Sequence, residues 1–227
     1  MQTVKLSRRH AVLGMGALAF TRPAAAQPQV LAIHLLPLGP VPQADLDVCA
    51  ASLAARLKVE LKFGAQLELP DDAWYAPRKR WRAEKLLDHL DEHGPKEAWK
   101  ILGVTQAEIS TTKGDIFDWG IAGLGALGGR PCVLSTFLYK KHSKTRAVFE
   151  RRLADITAHE FGHTLGMNHC ETRGCVMSDA KGKAMASADA SSGHYCLKCR
   201  GLAQFGPLVL KPSPFSAGDG GQRAGPP

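Results

Sequence analysis

Several features are absent from this chain of 227 residues. Its only long apolar run, Ala11 to Phe20, is too short to span a bilayer, which excludes a multi-pass membrane protein. No internal repeat is visible. No Gly-x-Gly-x-x-Gly or P-loop pattern implies a nucleotide. Hydrophobic residues at 44% and charged residues at 22% are ordinary globular values, so wholesale disorder, a coiled coil and a collagen-like fibre are excluded. The length suits one domain with room for two lobes and a buried core.

The first 26 residues also lack any acid. They carry Lys5, Arg8, Arg9 and Arg22, then the apolar stretch to Phe20, then Ala24-Ala25-Ala26. Basic start, apolar middle and small-residue end read as a bacterial export signal over 1–26. The pair Arg8-Arg9 after Ser7, with Gly14 and Gly16 diluting the apolar run, has the pattern of a twin-arginine signal. The mature chain is then periplasmic or secreted; a buried N-terminal helix is the alternative. Removing the signal takes four basic residues from a net charge of +8, so the basic balance is no argument for nucleic-acid binding. The runs Arg78–Arg82 and Lys140–Lys144 read as solvated helix and loop surface. No nucleic-acid partner is expected, no membrane partner after signal removal, and a monomer.

Val30 to Leu36 reads as a buried strand. Leu46, Ala50, Leu53 and Leu57 form a helical stripe over 43–57. Val59, Leu61 and Phe63 alternate with charges, the pattern of a strand with one wet face. Leu86, Leu87 and Leu90 belong to a charged helix ending at Gly94-Pro95. Ile101–Ile109 and Cys132–Tyr139 read as further strands. Between them, 120–129 holds five glycines, and Ile121–Pro131 is the candidate sheet edge and upper rim of a cleft, or else a floppy loop. The alternation predicts a twisted mixed sheet covered by helices. From Lys211 onward, proline, glycine and small residues predict a disordered tail, 211–227.

The chemistry is concentrated in 159–199. In HEFGHTLGMNHC, His159 and His163 lie one helical turn apart and face the same way, so both reach one zinc ion. Phe149, Leu153 and Ile156, with Phe161 and Leu165, anchor the helix in the core. Gly166 tolerates a positive φ, ends the helix and turns the chain so that His169 becomes the third ligand. Three protein ligands leave a vertex for water, and Glu160 beside it serves as general base. Histidines that merely hydrogen-bond, or a zinc site without hydrolytic activity, are the competing readings. Cys170, Cys175, Cys196 and Cys199 fit a structural zinc held by four thiolates. Two disulfides, or a C-x-x-C redox centre at Cys196 and Cys199, remain alternatives. Cys49 and Cys132 read as buried thiols, with a bond between them as the other option. His89 and His93 have ligand spacing in a charged helix, and His194 reads as a loop residue.

The string HExxHxxGxxHC, then Cys175-Val176-Met177, then Cys196-x-x-Cys199, resembles the archaemetzincins, a metzincin family with a second, cysteine-bound zinc. The stretch 131–137 is also similar to that family. The resemblance implies an α+β, α/β/α sandwich-like metzincin fold over 27–210. An N-terminal lobe (27–166) and a small irregular C-terminal lobe (167–210) would flank a zinc cleft. It implies two Zn2+ per chain, Met177 as the Met-turn floor under the histidines, and hydrolysis of peptide or protein substrates. The spacing from Met177 to Cys196 is one residue longer than the family pattern. A zinc-stabilised peptide-binding protein that cuts nothing is the reading from another class.

Overall fold

The computed structural model describes residues 31–204 and 209–212. The export signal over 1–26 and most of the tail, 213–227, lie outside the described residues.

A five-stranded sheet forms the centre. Its strands are β1 (Ala32–Leu38), β2 (Glu60–Phe63), β5 (Lys100–Thr105), β8 (Gly123–Gly125) and β9 (Pro131–Ser135), in the order β2-β1-β5-β9-β8. The β2/β1, β1/β5 and β5/β9 pairs are parallel, and β8 runs antiparallel to β9. Strands β5 and β9 are buried along their whole length, as parallel strands covered on both faces must be. Alternation along the strands sorts the core into two. Ile33, Leu35, Leu102, Val104, Cys132 and Leu134 face one way, onto α1 (Gln43–Arg56) and α4 (Arg146–Thr164). Leu36, Leu38, Ile101 and Val133 face the other way, onto Leu86 and Leu90 of α2 (Ala83–His93). The result is a helix–sheet–helix sandwich within an α+β fold.

A second sheet, ordered β3-β4-β6-β7, consists of β3 (Trp74–Tyr75), β4 (Arg80–Arg82), β6 (Ile109–Lys113) and β7 (Ile116–Ile121). It feeds through Ala122 into β8. The shorter α-helices among the described residues are α3 (Phe137–His142), α5 (Ala184–Ala190) and α6 (Leu197–Leu202). Among the described residues, no helix is long and apolar enough to cross a membrane.

Several sequence expectations are corrected. The run 101–109 is not one strand: β5 stops at Thr105, and Ile109 opens β6 in the other sheet. The run 132–139 leaves the sheet after Ser135 and becomes α3. Strand β2 is an edge: Val59 and Leu61 pack against the core and Glu60 and Lys62 face solvent, but Phe63 is half exposed, so the face its alternation predicts is only partly buried. The basic run 78–82 is not solvated helix and loop. Arg80 pairs with Glu108 at 2.8 Å and Asp118 at 3.0 Å, and Arg82 is buried and bonded to Thr112 at 2.7 Å. The mixed sheet, the covering helices and the edge strand within 121–131 are present as expected.

Candidate active site

Helix α4 carries the site. The Thr145 hydroxyl caps its start, accepting from the Val148 N–H at 3.3 Å. Phe149, Leu153, Phe161 and the following Leu165 are buried on its core side, whereas Ile156, expected there too, is only partly buried and lines the cleft. His159 and His163, four residues apart, project into a cavity of about 580 Å³. Gly166 follows with φ +83, a value that costs glycine little, and the chain turns back toward the helix. That turn delivers His169. The three ring centroids lie 4.9, 5.0 and 5.3 Å apart, and one nitrogen from each ring falls within 4.8 Å of the others.

Main-chain carbonyls fix the first two rings. His159 Nδ1 bonds Val176 O at 2.8 Å, and His163 Nδ1 bonds Met167 O at 2.7 Å. Each Nδ1 therefore carries the proton, and each Nε2 lone pair faces the cleft. The two Nε2 atoms are 3.2 Å apart. Two nitrogens bound tetrahedrally to one zinc sit about 3.3 Å apart, from zinc–nitrogen bonds of about 2.0–2.1 Å. The donors present thus fit that ion. Burial and the neighbouring rings push His159 down to about 4, and burial lowers His163, so both are neutral, the form that ligates.

Glu160 is almost fully buried, and burial pushes its carboxyl up to about 8. The Gly125 N–H donates to it from β8. This approach needs glycine. A β-carbon at Gly123 would lie 2.5 Å from Glu160 Cγ, and one at Gly125 would lie 2.8 Å from His163 Cβ and collide with the Glu160 carbonyl. Beneath the helix, Met177 is fully buried against Gly162, where a β-carbon would meet Met177 Cε and Tyr195 Cε1 at 3.1 Å each. The Tyr195 hydroxyl donates to Ala158 O at 2.7 Å.

The second cluster lies directly behind. Cys170 Sγ and Cys196 Sγ are 3.7 Å apart, as are Cys175 Sγ and Cys199 Sγ, and all four sulfurs lie within 4.8 Å of one another. Thiolates on one tetrahedral zinc sit about 3.8 Å apart, from zinc–sulfur bonds of about 2.3 Å, whereas a disulfide requires about 2.05 Å. Two backbone N–H groups already point at sulfur: Thr172 N at Cys170 and Cys196 N at Cys175, both at 3.4 Å. A hydrogen bond from the Cys199 thiol pulls Cys175 down. The same interaction holds Cys199 high, and burial raises Cys196. The extra residue between Met177 and Cys196 is absorbed without separating the sulfurs. Cys49 and Cys132 are buried free thiols.

His89 and His93 stack at 4.3 Å, but His93 Nδ1 bonds the His89 carbonyl, and they belong to no three-residue donor cluster among the described residues. His194 lies beside the cysteines through its main chain, its carbonyl accepting from Val176 N at 2.9 Å. Gly162, Tyr195 and the carbonyl of Val176 are site features the sequence reading missed, whereas Gly123 and Gly125 lie in the expected edge within 121–131. The glycines were visible as small residues, but their partners were not.

Fold and donor set together place the chain among the zinc metallopeptidases. The model of Peptidase family M54 matches residues 54–204. The chain belongs to that family, whose relatives carry the name archaemetzincin. The archaemetzincin of Haloquadratum walsbyi is 25% identical over 177 residues, 75% of this chain and 98% of its own length. The crystal structure of archaemetzincin from Archaeoglobus fulgidus, complexed with malonate, matches with a TM-score of 0.63 at 26% identity. It covers 75% of this chain and 98% of that one. The archaemetzincin from Methanopyrus kandleri matches with a TM-score of 0.67 at 24% identity, covering 81% and 99%.

Proposed function

We propose that this chain hydrolyses peptide bonds with Glu160 as general base, zinc on His159, His163 and His169, and a second, structural zinc on Cys170, Cys175, Cys196 and Cys199. The reading is carried by one observation. The buried Glu160 carboxyl lines the same cavity as two imidazoles whose Nε2 atoms are spaced for one ion. Zinc bound there lowers the pKa of a water and polarises a peptide carbonyl.

The chain's own groups do the rest. The free edge of β8 lies along the cleft and offers main-chain hydrogen bonds to an extended peptide. Glu160 takes a proton from the attacking water and passes it to the departing amine nitrogen. The Gly125 N–H holds the carboxyl in place between these transfers. Met177, packed on Gly162, keeps the helix under the histidines rigid. The basic, apolar and small-residue segments of 1–26 support export before this chemistry takes place.

The test is Glu160→Gln. It should keep two zinc ions per chain, by elemental analysis, and lose peptide cleavage by at least about 100-fold, the lower range for a general base. Undiminished cleavage would refute the base assignment.

A further inference from the structure

We infer that the cleft contains a side pocket for a basic side chain, with the Asp155 carboxylate at its floor, so that cleavage occurs beside Lys or Arg. This rests on the peptidase reading above and names the substrate class it leaves open.

Asp155 precedes His159 by one turn of α4 and lines the same cavity. Side chains at this spacing lie about 5–6 Å apart, so the pocket serves a residue flanking the scissile bond. Ile156 and Tyr139 supply apolar walls. Ser187 and Ala188 of α5, small residues, line the same cavity and leave room for a long side chain.

The charge at the floor has no cation within hydrogen-bond distance among the described residues. The nearest cation among the described residues is Arg56 on α1, whose Nη2 lies 3.9 Å from Asp155, beyond hydrogen-bond distance. Its other nitrogens are committed: Nε to Gly193 O at 2.7 Å, Nη1 to Ser52 O at 2.7 Å and Ser52 Oγ at 3.0 Å. Arg151, on the same helix, is held by Asp189 of α5 at 2.7 Å. The Ser191 hydroxyl is the remaining partner. Burial outweighs these contacts and pushes Asp155 up to about 6, so the carboxylate is ionised at neutral pH but poorly compensated. A Lys or Arg side chain can lay its methylenes along Ile156 and Tyr139 and place its cation on that carboxylate. An acidic side chain is repelled there, and a neutral one leaves the charge as it was.

Paired peptides decide the point. They are identical except for arginine or its neutral isostere citrulline at either residue flanking the scissile bond. The zinc-loaded full chain should cleave the arginine peptide about 10- to 100-fold faster in kcat/KM, the range for a hydrogen bond to a charged group. Asp155→Asn should collapse that ratio toward one, and Asp155→Glu should restore part of it. Calorimetric binding of the same peptides to Glu160→Gln reads the pocket without turnover. Arginine-selective binding without cleavage by the native chain would support the pocket and overturn the peptidase reading. Equal handling of arginine and citrulline, or a preference that survives Asp155→Asn, would overturn the pocket.

Discussion

Gly125→Ala tests whether the edge strand holds the general base. The substitution adds one methyl group to a backbone that already touches another backbone. The new carbon would lie 2.8 Å from His163 Cβ and 3.2 Å from the Glu160 carbonyl carbon, and closer still to that carbonyl oxygen. Carbon atoms settle at about 3.5–4.0 Å, so the strand and helix must part by roughly 0.7–1 Å. Helix α4 is held by Phe161 and Leu165 in the core, by Met177 beneath and by β9 alongside. Strand β8 has three residues paired on one side only, so it is the part that moves. Movement withdraws the Gly125 N–H from the Glu160 carboxyl and shifts the wall on which the peptide lies. A misplacement near 1 Å costs about 100-fold in rate. The expected outcome is a loss of about that size in kcat/KM with zinc content unchanged, because β8 gives way and the helix bearing His163 stays in place. Full activity in Gly125→Ala would show that β8 does not position Glu160, and loss of zinc would show that the strand acts on the histidines instead.

Three further outcomes follow from other contacts. Lys100 is buried, and its ammonium bonds Gly129 O at 2.6 Å and Thr164 O at 2.7 Å, tying the turn after β8 to the end of α4. Lys100→Met should cost about 2–4 kcal/mol in denaturant unfolding, and a loss below about 0.5 would show that the two carbonyls find water instead. Cys199→Ser should lower zinc from two toward one per chain and also cut kcat/KM by about 10- to 100-fold, the usual effect of losing support behind a metal ligand. A fully active, one-zinc variant would separate the two centres. Asp155 keeps its proton up to about 6 in the folded state, against about 3.9 when unfolded. The folded state then binds more protons between those values, and its stability falls as pH rises through that window. The fall attributable to Asp155 is on the order of 2–3 kcal/mol and should vanish in Asp155→Asn; identical stability profiles would contradict it.

The catalytic helix was legible because its information is local. Two histidines at i and i+4, a glycine where the helix must stop and an apolar stripe behind all lie within one segment, and the fold obeys each of them. The central strands were legible for a similar reason, since apolar runs bounded by turns suit a covered parallel sheet. The failures share another cause. The run 132–139 stays apolar past Ser135, and nothing in its pattern says that α3 has begun. Arg80 and Arg82 looked like solvated charge because their partners, Glu108, Asp118 and Thr112, lie some 30 residues away in sequence. Gly123 and Gly125 announced a close approach, but only the tertiary structure shows that Glu160 is what they approach.

Val176 shows most clearly what a motif leaves out. The cysteine cluster and the histidine cluster are adjacent in the chain, which alone would couple them loosely. Val176 couples them tightly: its carbonyl holds the His159 ring, while its N–H is held by the His194 carbonyl two residues before Cys196. On one side Cys175 belongs to the sulfur cluster. On the other, Met177 packs under α4, and its carbonyl accepts from Cys170 N at 2.9 Å. Three consecutive residues thus join the sulfur cluster, hold the His159 ring and support the helix that bears it. The central task is done by main-chain atoms, so the side chain at 176 carries no sign of it. The placing of Cys175 and Met177 on either side is the trace the sequence retains: a shift of the sulfur cluster would pass through the Val176 carbonyl to the His159 ring.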